Sequence, residues 1–320
     1  MKNVLIVLFV AFSLTAYAAD KDVFAVKGEK IYSPTLAGSF VIYIMAPDRL
    51  AGWNGQLMQH ETDYLPKKYQ NLPVLGGWQK LDKEALKKQK VTKAFVIGDP
   101  DNPSARVEEL KSLGMDVLIL KASNIDEYVT LLQELGRQMG IPKRGNELAA
   151  LGKELLDKTR NMVKDIPDEE KVSAFFGSGS SGLSGICYLD ALEIAGGKNA
   201  YDCPAGELGE APVSFEQLLE LDPNLIFLTN PSAQNAPNDP QWHNLTAYKE
   251  KRLYVVPFGP LGWLHHATPA NRFIGAPWLA CKLYPEKCNI DIEKEAKRYY
   301  KLFFNMGLND KQLKQIMYRN

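Results

Sequence analysis

The chain has 320 residues, 45% of them apolar, and its 38 basic side chains balance 38 acidic ones. That length allows two lobes of ordinary size with real cores. The near-neutral balance excludes a nucleic-acid partner that would call for a basic face.

The first eighteen residues, "MKNVLIVLFVAFSLTAYA", place one Lys before an apolar run and end in small residues. This is the pattern of a cleavable secretory signal, with cleavage expected after Ala18. The run is shorter than the roughly 20 residues that span a bilayer. No later segment is apolar enough to span, so the mature protein is expected to be soluble and exported, most simply to a bacterial periplasm. Four cysteines in an exported chain suggest disulfides. Among the three possible connectivities, the sequence-near pairs Cys187–Cys203 and Cys281–Cys288 are favoured over a zinc site, since no C-x-x-C is present.

From Ser33-Pro34 onward, short apolar runs alternate with helical patterns. "SFVIYIMA" continues a helix, "RLAGW" enters a short strand, and "KAFVIG" is a strand. "SARVEELKSLG" is an amphipathic helix with Gly114 as its stop. "MDVLIL" is the next strand, and "NIDEYVTLLQELGRQMG" the next helix, with Asn124 as its cap. Helical periodicity then runs through Asn146–Val163, between Pro142 and Pro167. Alternation resumes with "KVSAFFG", a Gly/Ser loop, "LDALEIAGG", "FEQLLELDPNLIFLTN" and "RLYVVPFG". Strand–helix alternation argues for parallel sheet covered by helices. The fold class is therefore α/β: two Rossmann-like lobes bridged by one long helix, with a ligand cleft between them. The divisions are residues 1–18 for the signal, 19–141 for the N-terminal lobe, 142–166 for the bridge and 167–320 for the C-terminal lobe with a helical tail. A single stiff helix between lobes predicts little hinge opening. In the tail, Ala296, Tyr299, Tyr300, Phe303 and Phe304 recur at helical spacing and read as core packing.

Two stretches carry a family pattern. One is "SPTLAGSFVIYIMAPDRLAGW" with "LPVLGGWQKLDKEALKKQKVTKAFVIG". The other is "APVSFEQLLELDPNLIFLTN" with "WHNLTAYKEKRLYVVPFGPLGWL". In this order they resemble the substrate-binding proteins of ABC importers for iron-siderophore, haem and cobalamin, the binding proteins bridged by a single helix. The N-terminal lobe departs in detail, with "KVTKAFVIG" where the family has a Pro-Asp-Leu strand start. The resemblance implies a protein that catches a ligand between its lobes and delivers it to a membrane permease. It also implies that Glu84 in "LDKEAL" and Glu216 in "VSFEQL" dock against permease arginines, for which a carboxylate on a fixed helix end is suited.

Ligands of open α/β sheets sit outside the carboxyl ends of strands. That rule selects the loops at Ser33–Thr35, Trp53–Gly55, Gly76–Trp78, Gly98-Asp99, Gly177–Gly182, Cys203–Ala211, Thr229–Pro231 and Phe258–Phe273. Within them Trp53, Trp78 and Trp263 suit a flat chelate as aromatic walls. Gly77 allows close approach, Ser178 and Ser180 offer hydroxyls in "GSGSSG", and Asp99 could touch a cation. His265 and His266 follow Trp263. Adjacent residues in an extended loop point opposite ways, so at most one, His265, would face a metal. Arg272 could neutralise an anionic chelate. His60 and His243 lie in polar contexts and are expected in surface or capping roles.

The expected cargo is an iron-siderophore or haem, with a nickel chelate, cobalamin or an oxyanion such as molybdate as alternatives. Any metal, Fe or else Ni or Co, would travel with the ligand, and no intrinsic cofactor is expected. The protein is expected to be a monomer and not an enzyme, since neither H-E-x-x-H nor G-x-S-x-G is present. An exported enzyme and a metallochaperone are the remote alternatives.

Overall fold

The computed structural model describes Phe24 and residues 28–207, 209–264 and 269–317. The signal segment and both His265 and His266 lie outside the described residues.

In the N-terminal lobe, β1 (Ile31–Tyr32) leads into α1 (Leu36–Met45). Thr35 caps that helix by accepting from the Gly38 amide. Two short helices, α2 (Gln59–Thr62) and α3 (Lys67–Gln70), precede α4 (Lys83–Lys88). Then come β2 (Lys93–Ile97), α5 (Ala105–Ser112), β3 (Asp116–Leu120) and α6 (Ile125–Gln138). The three strands form a parallel sheet in the order β1-β2-β3. Apolar "AFV" in β2 is buried, as expected of a strand covered on both faces. The expected strand at "RLAGW" shrinks to isolated bridges, Leu50 to Ile31 and Trp53 to Val74. Gly52 packs its backbone against the Pro73 carbonyl here, so the stretch follows the sheet without extending it.

The bridge is α7 (Pro142–Val163), 22 residues, or about 33 Å at 1.5 Å per residue. It starts four residues before the visible apolar period, because Pro142 supplies a preset first turn. It packs on α6 where Gly136 meets Gly145. A Cβ on Gly145 would lie 2.5 Å from the Leu132 carbonyl, so the two helices can approach this closely only with glycine.

The C-terminal lobe contains β4 (Ser173–Ser178), β5 (Ser184–Ile186), α8 (Asp190–Ile194), β6 (Lys198–Asn199), β7 (Glu210–Pro212), α9 (Phe215–Leu221), β8 (Leu225–Leu228), α10 (Thr246–Lys249) and β9 (Leu253–Val255). The path of its sheet is β7-β5-β4-β8-β9, with β6 paired to β4. Strands β4, β8 and β9 run parallel, β5 runs antiparallel to β4, and β7 runs antiparallel to β5. The chain ends in α11 (Arg272–Leu283), α12 (Ile292–Phe303) and α13 (Asp310–Met317). Both disulfides form, Cys187–Cys203 and Cys281–Cys288.

One apolar core runs through both lobes, taking in Phe40 and Tyr43 of α1, Leu155 of α7, Phe227 of β8 and Tyr299 of α12. The tail aromatics pack as the spacing predicts, with Tyr299 stacked on Phe303 at 4.3 Å. Polar ties cross between lobes as well. Arg144 donates to the carbonyls of Ile44 and Leu302, at the C-terminal ends of α1 and α12, where a cation also meets the negative ends of both helix dipoles. Asp190 of α8 accepts from the Ile125 amide at the start of α6 at 2.9 Å.

Candidate functional site

Strands β4, β8 and β9 run parallel, and the segments that follow β8 and β9 face the chain between Asn54 and Glu61. A cavity of about 440 Å³ lies there, lined from the N-terminal lobe by Asn54, Gln56, His60 and Glu61 and from the other lobe by Asn230, Ser232 and Phe258. This volume is within the range of small-molecule sites.

The wall from the C-terminal lobe is fixed from below. Asn230 Nδ2 donates to Ser178 Oγ at 3.0 Å, while Asn230 Oδ1 accepts from the Ala233 amide and the Ser232 hydroxyl. Phe258 sits on a turn held by α12: the Tyr300 hydroxyl donates to the Gly259 carbonyl and accepts from Trp263 Nε1. Asn271, oriented by Tyr299, donates to the Leu261 carbonyl at 2.9 Å. The tail aromatics therefore position the cleft wall as well as filling the core.

The N-terminal wall meets this turn directly. The His60 ring stands edge-on to Phe258, centroids 4.7 Å apart, and a Cβ on Gly259 would collide with the Tyr64 ring. Glu61 is 6% exposed. Its Oε2 accepts from the Met58 amide, closing a capping interaction at the start of α2. Burial raises the Glu61 pKa, and the Met58 amide only partly offsets this. Asn54 Oδ1 is buried with no hydrogen-bond partner among the described residues. Gly77 approaches Asn54 closely, a Cβ there falling 3.0 Å from the Asn54 carbonyl.

Several expected ligand contacts lie elsewhere. Trp53 is 1% exposed and donates to the Tyr69 carbonyl among Phe40 and Tyr43. Trp263 is fully buried on Tyr300. Both indoles are core, because each buries its large ring and still satisfies its N–H. Trp78 is exposed, on a turn whose carbonyl accepts from Arg106 Nε at 2.7 Å, outside the cleft lining. Asp99 caps its own Pro turn through the Asp101 amide. Ser180 is exposed, and Ser178 is buried as a brace for Asn230. Arg272 pairs with Asp190 at 3.0 Å, so its charge is neutralised inside the protein. His60, expected in a surface or capping role, instead lines the cleft. His243 stacks on Tyr248, apart from the cleft. The loops at Asn54–Gly55 and Asn230-Pro231 do line it, as the strand-end rule selects. Glu61, absent from the expected contacts, and His60 both sit on α2, a few residues past such a strand end, and proximity to that end is the sequence signal they carry.

The two glutamates of the docking pattern occupy equivalent places. Glu84 is the second residue of α4 behind its cap Asp82, and Glu216 the second of α9 behind its cap Ser214. Both are exposed. The Glu216 backbone amide and the Ser214 hydroxyl hold the Glu216 carboxyl below its usual pKa.

Against known proteins, the sequence profile described as "Periplasmic binding protein" matches residues 95–259, just over half of the chain. The chain belongs to the periplasmic binding protein family. The family consists of transport binding proteins, in which relatives handle small solutes for ABC importers. A solved ABC transporter solute binding protein from Sulfurospirillum deleyianum superposes with a TM-score of 0.82 at 29% identity, covering 90% of this chain and 93% of its own. The molybdate-binding protein MolA of Haemophilus influenzae is 25% identical over 282 residues, 80% of this chain and 78% of its own length. The vitamin B12-binding protein of Salmonella choleraesuis is 24% identical over 216 residues, 65% and 75% of the two chains. The Sulfurospirillum protein shares the two-lobe architecture expected from the sequence. Among the described residues no helix is long and apolar enough to cross a membrane.

Proposed function

We propose that this periplasmic binding protein captures a metal chelate in the interlobe cleft and hands it to an ABC importer permease through Glu84 and Glu216. The observation that carries the reading is the cavity itself, whose lining comes from both lobes. A ligand seated there touches both walls, so its presence can be read by a partner that touches both lobes. The named relatives range from molybdate to vitamin B12, which supports a solute carrier and leaves the cargo to be argued from the cleft. About 440 Å³ corresponds to about fifteen water volumes at ~30 Å³ each. A five-atom oxyanion would fill little of it, whereas an iron-siderophore, or a nickel or cobalt chelate, would occupy it. The metal is then part of the cargo, and the protein needs no cofactor of its own.

Native mass spectrometry and the visible spectrum of protein purified from an exported source test this reading. A retained metal complex is the expected result; turnover of a substrate with no retained or added solute binding would sink it. For delivery, Glu84→Ala and Glu216→Ala should each leave ligand affinity unchanged and lower uptake in cells, with the double variant lowest. Loss of ligand affinity in either variant refutes the docking assignment.

A further inference from the structure

The cleft has an electrostatic character of its own. Its described lining includes one carboxylate, Glu61, and no Lys or Arg. Glu61 is almost wholly buried. A carboxylate in such a place is costly unless a cation or donors face it. The Met58 amide supplies one donor, to Oε2. A second acceptor lies in the lining: Asn54 Oδ1, buried and without a hydrogen-bond partner among the described residues. A buried acceptor left unpaired costs free energy that a donor on a ligand recovers. Across the cavity, Asn230 Oδ1 is already engaged and Ser232 donates to it, so that wall is satisfied within the protein. The outstanding demand therefore comes from the Asn54–Glu61 side, and it is a demand for donors and positive charge. Arg272, the one arginine expected to favour an anionic cargo, is held by Asp190 instead.

We propose that Glu61 and Asn54 set the charge preference of the cleft, selecting cargo that presents hydrogen-bond donors and positive charge, such as an amine- or aqua-ligated metal complex, over anionic chelates and free oxyanions. The proposal rests on the reading that the interlobe cavity is the solute site. Glu61 supplies the counter-charge, and Asn54 Oδ1 accepts from a metal-bound N–H or O–H. The lack of a side chain at Gly77 leaves room for the Asn54 backbone, since a Cβ there would fall 3.0 Å from the Asn54 carbonyl. A tetrahedral oxyanion brings only acceptors, so it would leave Asn54 unpaired and meet Glu61 as a like charge.

The test compares three inert probes on the whole exported protein by calorimetry at physiological salt: hexaamminecobalt(III), the cobalt(III)–EDTA anion and molybdate. Wild type should bind the hexaammine at least tenfold tighter than either anion. Glu61→Gln keeps an acceptor for the Met58 amide, so thermal unfolding should hold while affinity for the hexaammine falls tenfold or more and affinity for the anions holds or rises. Asn54→Leu should weaken the hexaammine as well. Failure of the hexaammine to bind, tighter binding of either anion by wild type, or an unchanged hexaammine affinity in Glu61→Gln each overturns the proposal. The underlying site is checked separately with Ser232→Trp, which fills the cavity. Probe binding that survives this variant refutes the cleft as the solute site, whatever the charge preference.

Discussion

Asp190 offers the sharpest test of how the lobes are held together. Its side chain is 4% exposed and binds Arg272, which is 20% exposed. One oxygen also takes the Ile125 amide at 2.9 Å, at the start of α6 in the other lobe. Asp190→Ala removes all of this at once. Arg272 keeps its charge in a mostly buried place, and breaking such a pair costs about 3–5 kcal/mol. Its partial exposure argues for the lower end, about 3 kcal/mol, and the lost hydrogen bond from the Ile125 amide adds about 1 kcal/mol, Asn124 remaining as the cap of α6. The expected loss is therefore about 4 kcal/mol in urea unfolding followed by tryptophan fluorescence, with the slope unchanged. Asp190→Leu combined with Arg272→Met removes both charges and should recover more than half of that loss, since the second charge is no longer stranded. A loss below about 1 kcal/mol in Asp190→Ala, or a double variant no better than the single, would refute the pin. Arg272→Met that unfolds like wild type but binds ligand poorly would instead return Arg272 to the ligand.

The same interlobe ties, with Arg144 bonded to Ile44 and Leu302, predict little change in radius of gyration on ligand addition; a large compaction in solution scattering counts against them. Acid stability has a separate signature. Arg298 first, then Lys158, holds the Glu154 carboxyl down to about 2 from 4.5. A depressed folded pKa stabilises fully above the unfolded value, and that contribution fades as pH falls from about 4.5 through about 2. Glu154 is 37% exposed, so solvent screening keeps the contribution below about 1 kcal/mol. The stability difference between wild type and Glu154→Gln should be present at neutral pH and vanish near pH 2; a difference that persists to pH 2 refutes the assignment.

The fold was legible in the sequence because its signals are local and redundant. Apolar runs such as "KAFVI" and "LIFL" announce buried strands, and Thr35, Ser104, Asn124 and Ser214 each cap the helix that follows them. The bridge and the tail helix were legible from periodicity, although Pro142 sets the start of α7 earlier than the apolar pattern does. The cleft was legible only to the level of loops. Strand ends pointed to Asn54 and Asn230, but within those loops the largest residues drew the attention, and Trp53 and Trp263 are the ones the core claims. A large ring with one N–H suits a wall and a core equally well, and the deciding facts are the Tyr69 carbonyl and the Tyr300 hydroxyl, both brought up by tertiary packing. His60 and Glu61 show the reverse. Polar neighbours in "MQHETD" suggest solvent, yet the contact with Phe258 lies almost 200 residues away. What hid His60 is the property that makes it a candidate site: its ring partner Phe258 comes from the other lobe, so no local pattern could encode it, whereas Glu61 is tied locally to the Met58 amide and only the cavity gives it a role.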